Sequence, residues 1–316
     1  MRCTSLTKAP ILPAAKLEST CYLMMFYNSS NLSEVTMLAT DVTAQGCMDN
    51  WLTGTAESGT FYGDGNVTDF SAYGIPEGWT IKNAYQIRYT STDGNVVTPN
   101  SNATFGANIV SNTYENGVGI IEFDGPVTSI GNSAFSNCAT LASIEIPNSV
   151  TNIAEWAFLS CTNLKDVKLS ENITLIRQNV FGQCHALESI VIPDNVIALD
   201  FRAFNTCSNL KNVTLSKNLK TIGEQAFVYC KSITTITIPE SVTSIGRMAF
   251  SADGGEGGLE SVYCKAATPP TLNMTYGRAF EPTKKINVYV PANSVEAYIA
   301  AWKTETLCNI VASTEY

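Results

Sequence analysis

Ten cysteines and a single histidine, His185, are the side chains of this 316-residue chain best suited to metal binding or nucleophilic chemistry. Thiolates and imidazoles bind zinc, and a cysteine beside a histidine can act as an activated nucleophile. Structural zinc sites usually separate paired cysteines by about two to four residues. The nearest two cysteines here, Cys3 and Cys21, are much farther apart than that. We therefore expect no metal, no cofactor and no catalytic residue.

His185 directly follows Cys184, but the sequence identifies no third group that would orient the histidine for catalysis. The positions equivalent to His185 in the neighbouring repeats hold unlike residues, namely Ala139, Thr162, Ser208 and Lys231. We therefore interpret His185 as a repeat position that tolerates substitution. The glycine-containing acidic stretches 63–66 and 253–256 lack the ligand pattern of a calcium loop, which favours ordinary surface turns.

The cysteines belong to a 23-residue repeat, and this repeat must set the positions of all other side chains. Phenylalanine recurs at this spacing, and a cysteine follows at the third position after each of the first five phenylalanines. The repeated residues are Phe135, Phe158, Phe181, Phe204, Phe227 and Phe250, with Cys138, Cys161, Cys184, Cys207 and Cys230. A strict period of this length predicts a solenoid, because each repeat buries its apolar face only against its neighbours.

The repeated thiols should stack along one line inside the solenoid, where successive coils lie about 4.8 Å apart. Stacked side chains point in parallel, which keeps their Cβ atoms farther apart than a disulfide prefers. Free cysteine also behaves as a small, buried hydrophobe. We interpret the five cysteines as a reduced structural ladder, with a disulfide or a bound metal as the alternative.

Each repeat contains a strand with alternating apolar residues, followed by proline at 147, 193 and 239 or by serine at 170 and 216. A second short strand, a glycine at 131, 223 or 246, and a short helical turn should precede each phenylalanine. The stretch 87–97 resembles a β-hairpin around Asp93–Gly94, and 115–117 is a second turn signal. Residues 294–302 predict a capping helix, with Ser294 as its N-cap and an apolar face of Val295, Tyr298, Ile299 and Trp302.

These patterns divide the chain into four predicted segments. Residues 1–80 carry degenerate, longer repeats, since Cys3 and Ser29 occupy equivalent positions but are farther apart than the regular period. Residues 81–126 form a β-rich adaptor between two repeat blocks, 127–265 form the regular array, and 266–316 form an irregular repeat and cap. The chain begins at the cysteine position of a repeat, which predicts that it is a fragment of a longer array.

Composition excludes several classes of partner. The net charge is −9 and the chain is 45% hydrophobic, so a basic face for nucleic acid and attraction to an anionic membrane are not expected. The densest apolar run, at 22–27, is far shorter than a membrane span, so we expect no membrane insertion. The first residues lack the apolar region of a secretory signal peptide.

The positions between the buried strand residues should face the concave side of the solenoid and carry any binding specificity. This candidate binding face is small, polar and nearly neutral, and it lacks the row of aromatic residues expected for stacking sugars. Its residues are Ser143, Glu145, Asp166, Lys168, Ser189, Val191, Asn212, Thr214, Thr235, Thr237, Ser261 and Tyr263.

Units such as FSNCATLASIEIPNSVTNIAEWAF, at 135–158, resemble the BspA-type leucine-rich repeat of bacterial surface proteins. The resemblance extends over nearly the whole chain, including GIPEGWTI and the C-terminal VYVPANSVEAY. It implies a leucine-rich-repeat solenoid of mixed α/β class that is mostly β, with a parallel sheet.

For function, the resemblance implies export to the cell surface or secretion, and adhesion to host or bacterial proteins without enzymatic activity. Three alternatives remain open at this point. The chain could be a carbohydrate-binding module of a glycan-use system or a structural spacer without its own ligand. It could also be an enzyme whose chemistry is assembled within the irregular N-terminal part, up to about position 125.

Overall fold

The computed structural model describes residues 3–12, 14, 16–39, 41–63, 73–252, 257–273, 278–280, 285–306 and 308–313. They form two compact units, which are described separately. Unit 1 comprises Met1–Gln86, Gly106–Ser111 and Ile121–Val127, and unit 2 comprises Ile87–Phe105, Asn112–Ile120 and Thr128–Tyr316.

Unit 1 is built from coils joined by a parallel sheet of three strands, β1 (Glu34–Thr36), β2 (Gly59–Gly63) and β3 (Trp79–Asn83). Glu34 pairs with Thr60, so the coil between them is longer than one regular repeat. The core centres on Trp51, which is fully buried and packs edge-on against Phe61 with ring centroids 6.2 Å apart.

The segment predicted as an adaptor contains β4 (Gln86–Ser91), β5 (Ile109–Glu115) and β6 (Val118–Phe123). A hairpin joins β5 to β6 through Asn116–Gly117, which both have positive φ, as a two-residue hairpin turn requires. The hairpin predicted around Asp93–Gly94 does not form. The chain turns at Gly94, but β4 pairs antiparallel with the first long strand of the array, and no strand follows the turn directly in the described chain. Instead, the backbone N–H of Val97 donates to the Tyr89 hydroxyl.

The regular array of unit 2 carries two strands in each coil, and the coils repeat in parallel register. Leu175 pairs with Ala198 and Ser189 with Asn212, so each coil advances the register by one period of the sequence. The strands are β7 (Ser129–Ile130), β8 (Leu141–Glu145), β9 (Asn152–Ile153), β10 (Asp166–Lys168), β11 (Leu175–Ile176), β12 (Ser189–Val191), β13 (Ala198–Leu199), β14 (Asn212–Thr214), β15 (Thr221–Ile222), β16 (Thr235–Ile238), β17 (Ser244–Ile245), β18 (Ser261–Cys264) and β19 (Thr271–Leu272).

The phenylalanine ladder forms the spine of the array's core. The rings from Phe135 to Phe280 stack face to face, with neighbouring centroids 5.2 to 5.7 Å apart and planes within 13° of parallel. Such aromatic pairs contribute about 0.5–1.5 kcal/mol each beyond their buried area. The repeated phenylalanine therefore fixes both the interior of each coil and the spacing between coils.

The segment around each phenylalanine forms hydrogen-bonded turns and not helix. In each turn from Phe135 to Phe227, two residues, such as Trp156 and Ser160, have φ near +60° although neither is glycine. The backbone N–H of Phe158 donates to the Val180 carbonyl of the next coil at 2.9 Å. Bonding between coils thus replaces bonding within a helix.

Glycine is required at the predicted turn positions because there is no room for a Cβ atom, and not because the backbone has a positive φ. Neither Gly223 nor Gly246 has a positive φ. A Cβ atom at Gly223 would lie 2.5 Å from the Leu199 carbonyl oxygen, and one at Gly246 would lie 2.4 Å from the Glu224 nitrogen. In these coils the preceding backbone approaches too closely for any side chain.

The C-terminal part contains β20 (Ile286–Val290), a 3-10 helix (Ala292–Ser294), α1 (Val295–Ala301) and β21 (Cys308–Ala312). Helix α1 confirms the predicted helix, and Tyr298 and Trp302 are buried. Ile299 is 48% exposed, so it does not belong to the apolar face. The Ser294 side chain does not cap the helix. No helix within the described ranges is long and apolar enough to cross a bilayer.

Candidate functional site: the outward strand face of the array

The strands that carry the predicted binding residues present an inward and an outward side. Along β12 and β16, Ile190 and Ile236 are each 2% exposed and pack into the core, whereas the residues on either side of them are exposed. The predicted face residues are accordingly exposed or half-buried; Ser143, Ser261 and Tyr263 are the half-buried ones. Val191 is an apolar side chain on this face and is 64% exposed. We call this side of β8, β10, β12, β14, β16, β18, β20 and β21 the outward face.

The β8–β10 end of the outward face is charged. Lys168 on β10 forms an ion pair with Glu145 on β8, its partner in the strand register. Lys165 lies 3.4 Å from Glu188 in the next coil, and the side chains of both are more than half exposed. Exposed ion pairs of this kind contribute about 0–1 kcal/mol. These charges therefore shape the surface potential more than the stability.

The sheet behind the outward face is interrupted twice. Strands β8 and β10 pair, as do β12 and β14, and β16, β18, β20 and β21 form one continuous sheet. Neither β10 and β12 nor β14 and β16 are paired. Both unpaired seams follow a coil in which a buried serine, Ser170 or Ser216, replaces the proline and donates its hydroxyl to a carbonyl of the preceding coil. From β8 to β14, the coils therefore associate in pairs at this side of the array, and the coils from β16 onward form one sheet.

The seam between β14 and β16 opens into a cleft of about 690 Å³. Asn212 and Thr214 line one wall, and Thr235 and Thr237 line the other. The rest of the lining consists of Lys211, Val213, Ser232 and Thr234. The cleft joins predicted face residues from two neighbouring coils into one concave feature.

Two tyrosines form an aromatic pair at the β16–β21 end of the outward face. Tyr263 on β18 pairs in register with Tyr289 on β20, and their rings stack with centroids 4.7 Å apart and planes 14° from parallel. Tyr289 was not among the residues predicted from the sequence. The alternation in INVYV, at 286–290, matches that of SVYC, at 261–264, and is the signal that could have found it. Asn287 and Asn309 extend this neutral zone, since the Asn309 amide donates to the Asn287 side chain at 2.9 Å.

The repeated thiols are internal hydrogen-bond donors. The Sγ atoms of Cys161, Cys207 and Cys230 each lie 3.0 Å from the carbonyl oxygen of a ladder phenylalanine in the preceding coil. Burial raises the pKa of the Cys161, Cys184 and Cys207 thiols, because desolvation disfavours the thiolate. Cys138, at the start of the ladder, is only partly buried. Neutral, enclosed thiols are poor nucleophiles and poor metal ligands.

Among the described residues, the other side chains considered for catalysis or metal binding do not form a site. His185 is half-buried, and its Nδ1 donates to the Thr206 carbonyl oxygen at 3.0 Å, which makes Nδ1 the protonated ring nitrogen. In the part of the chain that the structure describes, no group of three or more His, Cys, Asp or Glu side chains is placed to hold a metal ion. The acidic residues of the two calcium-loop candidates, at 64–66 and 253–256, lie outside the described residues.

Comparisons with known proteins point to one type of repeat. A family model described as "BspA type Leucine rich repeat region" matches six copies, over residues 128–255 and 175–306. No curated protein sequence matches the chain.

Several solved structures of bacterial repeat proteins are similar to this chain. A leucine-rich repeat protein from Bacteroides ovatus is 19% identical over 66% of this chain and 60% of its own, with a TM-score of 0.35. A leucine rich cell surface protein from Faecalibacterium prausnitzii is 22% identical over 80% of this chain and 58% of its own, with a TM-score of 0.32. The pneumococcal vaccine antigen PcpA is 15% identical over 98% of this chain and 68% of its own, with a TM-score of 0.49. The chain thus spans about three fifths of the length of the first two.

Proposed function

Because the chain belongs to the BspA-type leucine-rich repeat family, we propose that it is a non-enzymatic protein of the bacterial cell surface, or a secreted one, that binds a protein partner. The partner is a host extracellular protein or a protein on another bacterial surface. The outward face of the array makes the contact. The family's members are bacterial surface repeat proteins, which supports the proposed location.

The observation that carries this proposal is the contrast between the side chains on two sides of each coil. On the turn side, the side chains of Asn172, Asn195 and Asn218 each donate to a carbonyl of the preceding coil and so help to build the solenoid. On the outward face, Val191 and Thr214 are exposed and face solvent from rigid, hydrogen-bonded strands. A backbone that is already held in place loses little entropy on binding, which favours association.

The binding proposal is tested with purified protein in a surface-binding assay against a panel of host extracellular-matrix proteins and bacterial surface proteins. Val191→Glu places a charge on the β12 part of the outward face and should weaken binding at least about tenfold, since an unpaired charge buried in an interface costs several kcal/mol. Ile197→Glu is the matched control, because Ile197 is 52% exposed but precedes β13 on the opposite side of the coil.

Equal binding by the wild-type protein and both variants would show that the outward face is not the contact surface. If no partner on the panel binds the wild-type protein, the structural-spacer alternative replaces the proposal. The location is tested separately by protease treatment of intact producing cells. Loss of the protein from the cell fraction is the expected result, and full protection would contradict exposure at the surface.

A further inference from the structure

The cleft between β14 and β16 arises because two coils part on one side only. On the opposite side of the same coils, β15 and β17 remain paired, with Thr221 opposite Ser244. In the core between them, Phe204 and Phe227 stack at 5.2 Å. The coils are therefore held together at the core and separated at the outward face, which leaves a wedge of about 690 Å³. Small-molecule sites commonly measure about 300–1,000 Å³.

The walls of the cleft carry free hydrogen-bonding groups. Asn212, Thr214, Thr234, Thr235 and Thr237 line it and are exposed. Within the described ranges, none of these five side chains makes a hydrogen bond to the protein. Each threonine hydroxyl can both donate and accept, and the asparagine amide does the same through its two ends. The cleft therefore presents paired donors and acceptors that the fold itself does not use.

The backbone adds further groups to the same cleft. No backbone hydrogen bond joins the 211–215 segment to the 234–238 segment in the described structure, whereas paired strands elsewhere in the array share a ladder. The N–H and C=O groups that face the seam are thus left to water or to a ligand. A ligand that supplies hydroxyl groups can bond to these backbone groups in place of water.

An aromatic ring lies one strand away from the cleft. Tyr263 lies opposite Thr237 in the β16–β18 register, and Thr237 lines the cleft. Tyr289 covers one face of the Tyr263 ring from β20, at 4.7 Å. The other face of the ring is consequently turned towards Thr237, whose side chain is small. A ligand that extends from the cleft over Thr237 can reach the half-buried Tyr263 ring, which offers an apolar surface.

We propose that the cleft between β14 and β16 binds a short, neutral saccharide. A sugar ring combines a face of polarised C–H groups, suited to contact with the Tyr263 ring, with a rim of hydroxyl groups, suited to the threonines and Asn212. The lining contains one ionisable side chain, Lys211, and no carboxylate among the described residues, which disfavours a cationic ligand. The chain's net charge of −9 disfavours an acidic one. The inference goes beyond the proposed protein-binding function and does not depend on it.

The saccharide site is tested with an array of neutral and acidic oligosaccharides, followed by calorimetric titration of the strongest neutral hit. Thr237→Val keeps the shape of the side chain but removes its hydroxyl, and it should weaken binding about threefold to tenfold. Tyr263→Ala should weaken binding at least about tenfold, whereas Tyr263→Phe retains the ring and should stay within about threefold of wild type. Thr221→Val in β15, on the opposite side of the coil, is the matched control and should leave binding unchanged.

Two results would overturn the saccharide proposal: no neutral oligosaccharide binds at millimolar concentration, or the affinity is the same in Thr237→Val and Tyr263→Ala as in wild type. Binding of acidic oligosaccharides alone would also contradict it. Circular dichroism and the midpoint of thermal unfolding check that each variant folds. If Tyr263→Ala does not fold, Thr237→Val decides the question. Failure of the saccharide proposal is distinguishable from failure of the protein-binding proposal. Val191 lies outside the cleft, and the Val191→Glu variant is assayed with protein partners and not with saccharides.

Discussion

Raising the pH from 8.5 to 10 should destabilise the repeat array strongly, because the folded chain holds several thiols in their neutral form. Cys161, Cys184, Cys207 and Cys264 are fully buried, and burial raises the pKa of each of these thiols well above its ordinary value. An unfolded cysteine has a pKa of about 8.5. Above that pH the unfolded chain releases thiol protons that the folded chain retains. The unfolded state then binds fewer protons, so the free energy of unfolding falls as the pH rises.

The size of the effect follows from the number of buried thiols. Each one removes about 1.4 kcal/mol of stability per pH unit between its unfolded and folded pKa values. The pKa values of the buried thiols in the folded chain lie well above the tested pH range. In the unfolded chain, half of the thiols are already ionised at pH 8.5. Each thiol should therefore remove about 1.7 kcal/mol between pH 8.5 and 10, and the four together about 7 kcal/mol. Native domains are typically stable by about 5–15 kcal/mol, so a large part of the stability should be lost.

The loss of stability at high pH is measured by urea unfolding at several pH values between 7.5 and 10 in the presence of a phosphine reductant. Circular dichroism monitors the unfolding. Tyrosines and lysines also ionise in this range, so the informative quantity is the difference between wild type and Cys184→Ala. Between pH 9 and 10 the variant should lose about 1.2 kcal/mol less than wild type. The triple variant of Cys161, Cys184 and Cys207 to alanine should show about three times this difference. Cys3→Ala, which removes an exposed thiol, is the matched control.

Parallel curves of stability against pH for wild type and Cys184→Ala would refute this reasoning. Such a result would mean that the thiol reaches water in the folded state or is not a free thiol. A thiol titration in denaturant without reductant separates these two explanations. Ten reactive thiols per chain are expected, since all ten cysteines are unbridged. A smaller number would favour the disulfide alternative that the spacing of the ladder left open.

Three further substitutions test the packing and the backbone of the array. Phe204→Ala should cost about 3–5 kcal/mol in urea unfolding, because Phe204 is fully buried and loses both stacked neighbours; a cost below about 1 kcal/mol would mean that the ladder can collapse around the gap. Thr206→Asn should raise stability by about 0.5–1 kcal/mol, because Thr206 has φ +59° and Asn137 occupies the equivalent position with φ +63°; an unchanged thermal midpoint would contradict this. Gly223→Ala should destabilise by more than about 2 kcal/mol, because the new Cβ would lie 2.5 Å from the Leu199 carbonyl oxygen; a neutral result would show that the neighbouring coil can move aside.

The repeat spacing was sufficient to predict most of the fold of the regular array. A fixed interval between equivalent residues can be satisfied only if each coil lies directly on the next, so strand register and core positions follow from the spacing alone. The left-handed residues of the turns could not be predicted in this way. Trp156 and Gln183 have positive φ although their side chains disfavour it. The closed coil and its bonds to both neighbours impose these angles, and neither influence is local in the sequence.

The two unpaired seams of the outward face could not be predicted from the sequence either. Strands β12 and β14 pair and β14 and β16 do not, yet all three alternate apolar and polar residues in a similar way. Periodicity reports which side chains are buried, and it does not report whether two neighbouring strands approach closely enough for hydrogen bonds. The serine that replaces proline before each seam was visible, but its buried hydroxyl and the opening that follows it required the structure.

The aromatic pair shows why a binding site would be sought where the period changes. Ser261 pairs with Thr235 and Asn287 with Ser261, so the register advances by a longer step here than between the regular coils. A search at the regular spacing from Tyr263 therefore passes over Tyr289. Within the strict repeat, outward positions hold small or charged residues such as Ser189 and Lys168, which neighbouring coils of identical length accommodate equally. The longer coils place two large rings side by side on the outward face, one strand away from the open seam. The regular repeats thus supply the rigid support, and the irregular ones bring together the aromatic and polar groups that recognition of a ligand requires.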